Sequence, residues 1–246
     1  MSGVHNGGVQ LEIAANSLAS ALAAQEGGAD RVELCENLGE GGCTPSYGTL
    51  AMARERLRVP LYVLIRPRAG DFLFDALERD TMLRDIEMCV RLGCDGVVIG
   101  ALDADGDVDV TVCPGLVAAA GTLGVTFHRA IDVARDPHAA LDAAIELGCE
   151  RVLTSGAHAS AIDGAADIAS FVRRAEGRIG VMAGAGVTSG NVRELVRCTG
   201  VREVHASARV RRESAMHLQR VLPGLEAQWW QTDRETVRAL RQSLES

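Results

Sequence analysis

Five residues stand out as able to do chemistry, each set in or at the end of a short apolar run: Glu12 in VQLEIA (9–14), Glu33 in RVELC (31–35), Arg66 in LYVLIR (61–66), His128 in VTFHR (125–129) and His205 in EVHAS (203–207). Carboxylates and imidazoles accept and return protons, and a guanidinium holds an anion or balances a carboxylate through paired hydrogen bonds. These five are the candidate catalytic residues. The segments that follow the runs add candidate anion ligands: Arg68 in RPRAGDF (66–72), Ser155 in TSG (154–156), Gly184 and Gly186 in AGAGVTSGNV (183–192), and Ser207. A Gly-rich turn that opens a helix presents backbone N–H groups to a phosphate; the competing reading is a tight turn that simply needs glycine. One residue type is missing altogether. The chain has no lysine, so all 25 basic residues are arginine. A Schiff-base aldolase or a pyridoxal-phosphate enzyme needs a side-chain amine, and both chemistries are excluded, the N-terminal amine aside.

The elements that position these residues show in a recurring phrase. GGADRVEL (27–34), LGCDGVVI (92–99) and LGCERVLT (147–154) each join a glycine, a small residue and an acid to a β-branched run, and TGVREVHA (199–206) is a looser copy. The phrase reads as a helix closed by glycine, then a turn into a strand. Eight strands are predicted: the five runs above, with GVVIG (96–100), RVLTS (151–155) and IGVMAG (179–184). Helical patterns separate them, for example 79–92 and 137–147, the latter opened by Asp136-Pro137. Thr44-Pro45 is expected to open the second helix, Thr188 or Ser189 to cap the seventh, and TDRE (232–235) to form a capping box for a last one. Trp229 and Trp230 are expected to dock that helix or to face another subunit. Strand–helix alternation implies a parallel sheet, and eight units in about 250 residues fit an α/β (β/α)8 TIM barrel. The expectation is a flexible tail over 1–8 and one barrel domain over 9–246 with an extra C-terminal helix. The runner-up, an open doubly wound sheet, lacks a GxGxxG turn after the first strand, so no NAD site is expected.

Period-two alternation then sorts the side chains. Val and Leu take one face of each strand, and Glu12, Glu33, Cys35, Arg66, Thr126, His128, His205 and Ser207 take the other, which should point into the barrel. Buried charges must pair, so Glu12 and Glu33 are expected to share Arg66, either as a structural staple or as part of a site at the C-terminal mouth. In VTFHRAID (125–132) parity sends His128 inward, while Arg129 passes the strand end and is expected to pair with Asp132.

Composition narrows the partners. Net charge is −8 and no arginine cluster is backed by stacking aromatics, so nucleic acid is not expected. No apolar run approaches the ~18 residues of a membrane helix. MSGVHNGG has neither a basic patch nor an apolar stretch, so a flexible tail is expected there and not a signal peptide. Seven cysteines, an odd number, suit free thiols in a reducing cytoplasm.

ADRVELCENLGEGGCTPSYG, IRPRAGDF, GALDADGDVD, VTFHRAID, RVLTSG, AGAGVT and EVHASA together resemble the CutC family of copper homeostasis proteins, in order, from about Leu11 to Ala208. The resemblance implies a cytoplasmic TIM barrel, a homo-oligomer (dimer or tetramer) and Cu(I) held by two cysteines near the barrel mouth. One of these falls on Cys35. The other falls on Ala14, because LEIA stands here where relatives read LEIC, and Ala cannot ligate. Cys43 in GEGGC is the candidate substitute. Cys89, Cys94, Cys113, Cys149 and Cys198 are expected to be core residues. Two functions follow as expectations: copper homeostasis with Cu(I) binding, or a non-Schiff-base isomerase, epimerase or lyase acting on a small anionic, phosphorylated molecule.

Overall fold

The computed structural model describes residues 8–218, 220, 222 and 225–245; apart from Gly8, the tail expected over 1–8 lies outside them. Eight parallel strands form a closed barrel in sequence order: β1 (Gln10–Ala15), β2 (Arg31–Leu34), β3 (Leu61–Leu64), β4 (Gly96–Ile99), β5 (Gly124–Phe127), β6 (Arg151–Thr154), β7 (Gly180–Gly184) and β8 (Glu203–Ala206). Parallel pairing of β1 with both β2 and β8 closes the ring. The helices are α1 (Leu18–Gly27), α2 (Tyr47–Arg56), α3 (Ala76–Leu92), α4 (Cys113–Ala120), α5 (Pro137–Glu146), α6 (Ala165–Ala175), α7 (Val192–Thr199) and α8 (Arg234–Glu245). The helix expected after the barrel is α8, which packs against α1 and α7 and takes the eighth place in the ring.

The recurring phrase has a structural cause. Gly28 and Gly93 end α1 and α3 in the left-handed conformation, with their N–H groups bonded back into the helix. The acid that follows reaches the start of the preceding strand: Asp30 Oδ2 accepts the Leu11 N–H at 2.7 Å, and Asp95 Oδ2 accepts that of Leu61 at 2.8 Å. The first two copies therefore close a helix and tie two strands together; in the third, Gly148 is also left-handed but Glu150 bonds the Tyr62 hydroxyl and Arg151.

Several helix starts differ from expectation. Ser46, not Thr44-Pro45, caps α2, with Oγ accepting the Thr49 N–H; the Thr44 hydroxyl instead accepts the Arg66 N–H at 2.9 Å. α3 begins at Ala76 behind a capping box of Asp75 and Glu78. Neither Thr188 nor Ser189 caps α7: Asn191 holds that place, and its Oδ1 accepts the Thr188 N–H. The box expected at Thr232 is displaced by one residue, since Asp233 accepts the Thr236 N–H while Thr232 is buried against Ala14 and Ser207 carbonyls. Asp136 caps α5 as the sequence suggests.

Two strands lie outside the barrel. β9 (Arg209–Glu213) and β10 (Gln228–Thr232) pair antiparallel between β8 and α8. Trp229 and Trp230 belong to β10 and are half exposed, with the Arg209 and Arg211 guanidiniums over the Trp230 ring at 4.9 and 5.4 Å. The outward faces of the barrel strands, such as Leu11, Ile13, Val63 and Phe127, join the helices in one apolar core. Inside the barrel a second cluster holds Cys35, Tyr62, Leu64 and Val98.

Candidate functional site at the barrel mouth

The barrel interior has a polar floor. Arg31 from β2 and Arg151 from β6 both lie over the Tyr62 ring, at 5.1 and 5.0 Å. Glu203 accepts from Arg31 Nη2 at 2.6 Å and from Arg151 Nε at 2.9 Å. Glu150 accepts from the Tyr62 hydroxyl and from Arg151. Burial, reinforced by the bond to Glu150, pushes the Tyr62 phenol up to about 12. A Cβ on Gly96 or Gly124 would overlap the Tyr62 side chain, which is why β4 and β5 begin with glycine.

Above the floor, Arg31 Nε also donates to Glu12. This corrects the expected Glu12–Arg66–Glu33 group. Arg31 and Glu12 are register partners across β2 and β1, whereas Arg66 lies beyond the end of β3 and spends its Nη groups on backbone carbonyls: Glu40 at 3.0 Å, Gly42 at 2.9 Å and Gly70 at 2.5 Å. Arg31 has the same strand parity as Glu33, so the sequence held the signal; the register that selects its partner is a tertiary fact.

His205 joins the two glutamates. Its Nδ1 lies 2.7 Å from Glu12 Oε1 and its Nε2 3.5 Å from Glu33 Oε2. Burial opposes the Glu12 charge, yet Arg31 and His205 together hold its carboxyl well below the usual range. Burial also opposes charging of His205, but the bond to Glu12 and the charge of Glu33 raise it above an ordinary imidazole. Glu33 goes the other way. Burial, with the Glu12 charge added, lifts it to about 7 against the pull of His205 and Arg31. Two carboxyls in one cluster are thus driven apart, one fixed as an anion and one poised to exchange a proton near neutrality.

Glu33 and His205 face a cavity of about 460 Å³ at the C-terminal mouth. Arg66, Phe72 and His128 line one side of it; Gly186–Ser189, Ser207 and Arg209 line another. The His128 ring packs against Phe72 with centroids 4.8 Å apart, and the Arg66 guanidinium lies over the same phenyl at 4.8 Å. His128 Nδ1 accepts the Ala130 N–H at 3.2 Å. Burial, with the nearby Arg66 charge, depresses its pKa to about 3, so the ring is neutral. Arg66 Nε, His128 Nε2 and Arg209 Nη1 are buried nitrogens with no hydrogen-bond partner in the protein.

The other expected site residues divide. Gly186 and Ser207 line the cavity. Gly184 sits beneath it, where a Cβ would press on Leu153 and His205. Arg68 is outside the lining and braces the β3–α3 loop through Glu78 at 2.5 Å, Asp71 at 3.0 Å and the Leu73 carbonyl. Ser155 is fully buried; its hydroxyl bonds Asp132 and the His158 carbonyl and receives Arg129 Nη2 at 2.9 Å. Arg129 and Asp132 pair at 2.7 Å as expected. Sequence reasoning missed Phe72 and Arg209, whose loop and hairpin positions no strand period reveals.

Several comparisons bear on this site. The family model described as the CutC family matches residues 9–210. A family protein CutC from Xanthomonas campestris is 58% identical over 96% of this chain and 99% of its own length. The chain belongs to the CutC family. Another family protein CutC, from Pasteurella multocida, is 46% identical over 96% of the chain and 99% of its own. Among solved structures, one described as a copper homeostasis protein CutC from Streptococcus agalactiae superposes with a TM-score of 0.78 at 33% identity, over 81% of this chain and 98% of that one. A thiamine phosphate pyrophosphorylase from Pyrococcus furiosus reaches 0.60 at 16% identity over 96% of both chains, a likeness of fold alone.

For this CutC-family chain the cysteines are informative. Cys35 and Ala14 both line the cavity. Cys35 is fully buried with its thiol on the Ala15 carbonyl at 3.7 Å, and burial pushes its pKa well up, so it remains a thiol. Cys43 is outside the cavity lining and pairs through its backbone with Glu36. A two-thiolate Cu(I) site needs two deprotonated soft ligands converging on one point, and these residues do not fit it. Among the described residues, no group of three or more His, Cys, Asp or Glu could hold a metal ion. Cys89, Cys94, Cys113 and Cys149 are buried as expected; Cys198, on the outer side of α7, is exposed. Among the described residues, no helix is long and apolar enough to cross a membrane.

Proposed function

We propose that this chain is an acid–base enzyme that acts on a small anionic molecule held in the mouth cavity. The observation that carries the reading is the placement of Glu33 and His205 under a cavity whose walls include three side chains with unused N–H donors. Arg209, Ser207 and the Gly186–Ser189 loop form the anion side, where the strand-seven and strand-eight ends of barrels commonly take phosphate. Glu33, with a pKa near neutrality, exchanges the proton; Glu12 holds His205 in place. The absence of lysine leaves isomerase, epimerase or lyase chemistry without a Schiff base.

The test is incubation in D2O with a panel of small phosphate monoesters, read by proton NMR, beside calorimetry with inorganic phosphate. The expected result is phosphate binding that weakens in Arg209→Ala, and deuterium uptake into one class of ester that vanishes in Glu33→Gln. Failure of phosphate to bind, together with no exchange in any ester, overturns the reading.

The family's link to copper homeostasis gives a second reading, with Cu(I) as cargo on Cys35 helped by His205 rather than by a second thiol; its support is the position of both residues on the cavity wall. Titration with Cu(I) against a competing chelator tests it. An affinity unchanged by Cys35→Ser removes it, while Ala14→Cys is expected to create the tight pair that this sequence lacks. Free thiols suit a cytoplasmic location, and the exposed β9–β10 hairpin suits a homo-oligomer, to be checked by light scattering.

A further inference from the structure

The two donors beside Phe72 differ from an ordinary basic patch. Arg66 Nη1 donates to two carbonyls and Nη2 to a third, which leaves Nε as the one nitrogen of that guanidinium without a partner. His128 Nδ1 is committed as an acceptor for the Ala130 N–H. A neutral imidazole that accepts at Nδ1 must carry its proton on Nε2. Beside Phe72 the mouth therefore holds two buried nitrogens without a partner, one on a charged group and one on a neutral ring, in residues that are each 5% exposed. Phe72 packs on both and keeps them dry. Leaving two buried donors unmet is costly, so the arrangement holds binding energy for an oxygen acceptor.

The type of oxygen follows from the charges. A permanent phosphate or carboxylate is best met by cations, and this pair offers only one. The ordinary use of a neutral imidazole N–H beside a guanidinium is on an oxygen that starts uncharged and gains charge as the reaction proceeds. We propose that Arg66 Nε–H and His128 Nε2–H grip the carbonyl oxygen of a small phosphorylated aldehyde or ketone, with Phe72 turning aside to admit it. This rests on the acid–base reading of the same cavity and names its substrate class. The Glu33 carboxylate takes the proton from the carbon next to the carbonyl. The C–H electron pair becomes the C=C bond of an enolate, and the carbonyl π pair moves onto the oxygen held by the two donors. Return of the proton from Glu33 restores the carbonyl, and no further reactant is consumed.

The test uses the wild-type chain and 2-phosphoglycolate, whose carboxylate imitates the enolate. Nitrogen-15 NMR of the histidine rings, assigned through their backbone correlations, is expected to show His128 as the neutral Nε2–H form from about pH 5 to about pH 9, with its Nε2 proton moving downfield on addition of 2-phosphoglycolate. Calorimetry is expected to show 2-phosphoglycolate binding at least about tenfold more tightly than inorganic phosphate, the worth of one charge-assisted hydrogen bond. A smaller ratio, an Nδ1–H or charged His128, or an unmoved Nε2 proton overturns the carbonyl grip while phosphate binding and Glu33-dependent exchange still stand. Loss of phosphate binding and of all exchange brings down the underlying acid–base reading instead.

Discussion

The floor and the mouth of this barrel are built from the same residue types and differ in how far their hydrogen bonds are satisfied. On the floor, Arg31 and Arg151 share Glu203, take Glu12 and Glu150 as further partners and stack on Tyr62. At the mouth, Arg66, His128 and Arg209 each keep a buried nitrogen with no protein partner. Charge inside a barrel is therefore not by itself a mark of function. A closed network holds the fold, and unspent donors beside a cavity mark where a ligand belongs.

The comparison breaks most sharply at Arg31. Arg31→Leu removes the cation that Glu12 and Glu203 share, leaving Glu12 only His205 and Glu203 only Arg151, and is expected to cost about 3 kcal/mol in urea unfolding, the low end of the scale for splitting a buried pair. A loss as small as that of a surface substitution would show that the floor is not what holds the barrel. Glu33 gives the next largest effect, and it depends on pH. Its carboxyl is raised from 4.5 to about 7 in the folded chain. The stability this contributes is fully present below the unfolded pKa and is lost as pH rises through about 7. Relative to Glu33→Gln, the wild type should thus lose about 3 kcal/mol between about pH 4 and about pH 8, as read from paired urea melts. A difference that stays flat with pH would place Glu33 among the saturated groups of the floor. The smallest effect is expected at Arg209. Arg209→Ala loses its stacking on Trp230, about 1 kcal/mol or less, yet it should weaken phosphate binding clearly in calorimetry. If stability falls while phosphate affinity stays the same, Arg209 belongs to the hairpin and not to the site.

Much of this was legible in the chain. The recurring phrase exposed the barrel because its copies carry a helix stop, and in the first two the acid ties one strand to the next. Strand parity put Glu12, Glu33, His128 and His205 inside, since period two leaves a barrel residue only two directions. The hairpin was not legible. RVRRE and QWWQT show no alternating apolar face, because both strands stay largely exposed and pair only with each other. Helix starts at Ser46 and Asn191 were misplaced by two or three residues, because several capping-type residues stand together in each loop.

The sequence by itself determined the parallel barrel, the inward polar set, the lack of any lysine chemistry and an alanine, which cannot ligate a metal, at position 14. Only the tertiary structure decided who pairs with whom. Arg31 meets Glu12 because parallel strands bring register partners side by side, and Arg66 turns to loop carbonyls because it stands beyond the last pair of β3. Parity fixes a direction from local geometry. Partnership depends on strand stagger and on loops that arrive from distant parts of the chain, and these decide which donors are spent and which remain for a ligand.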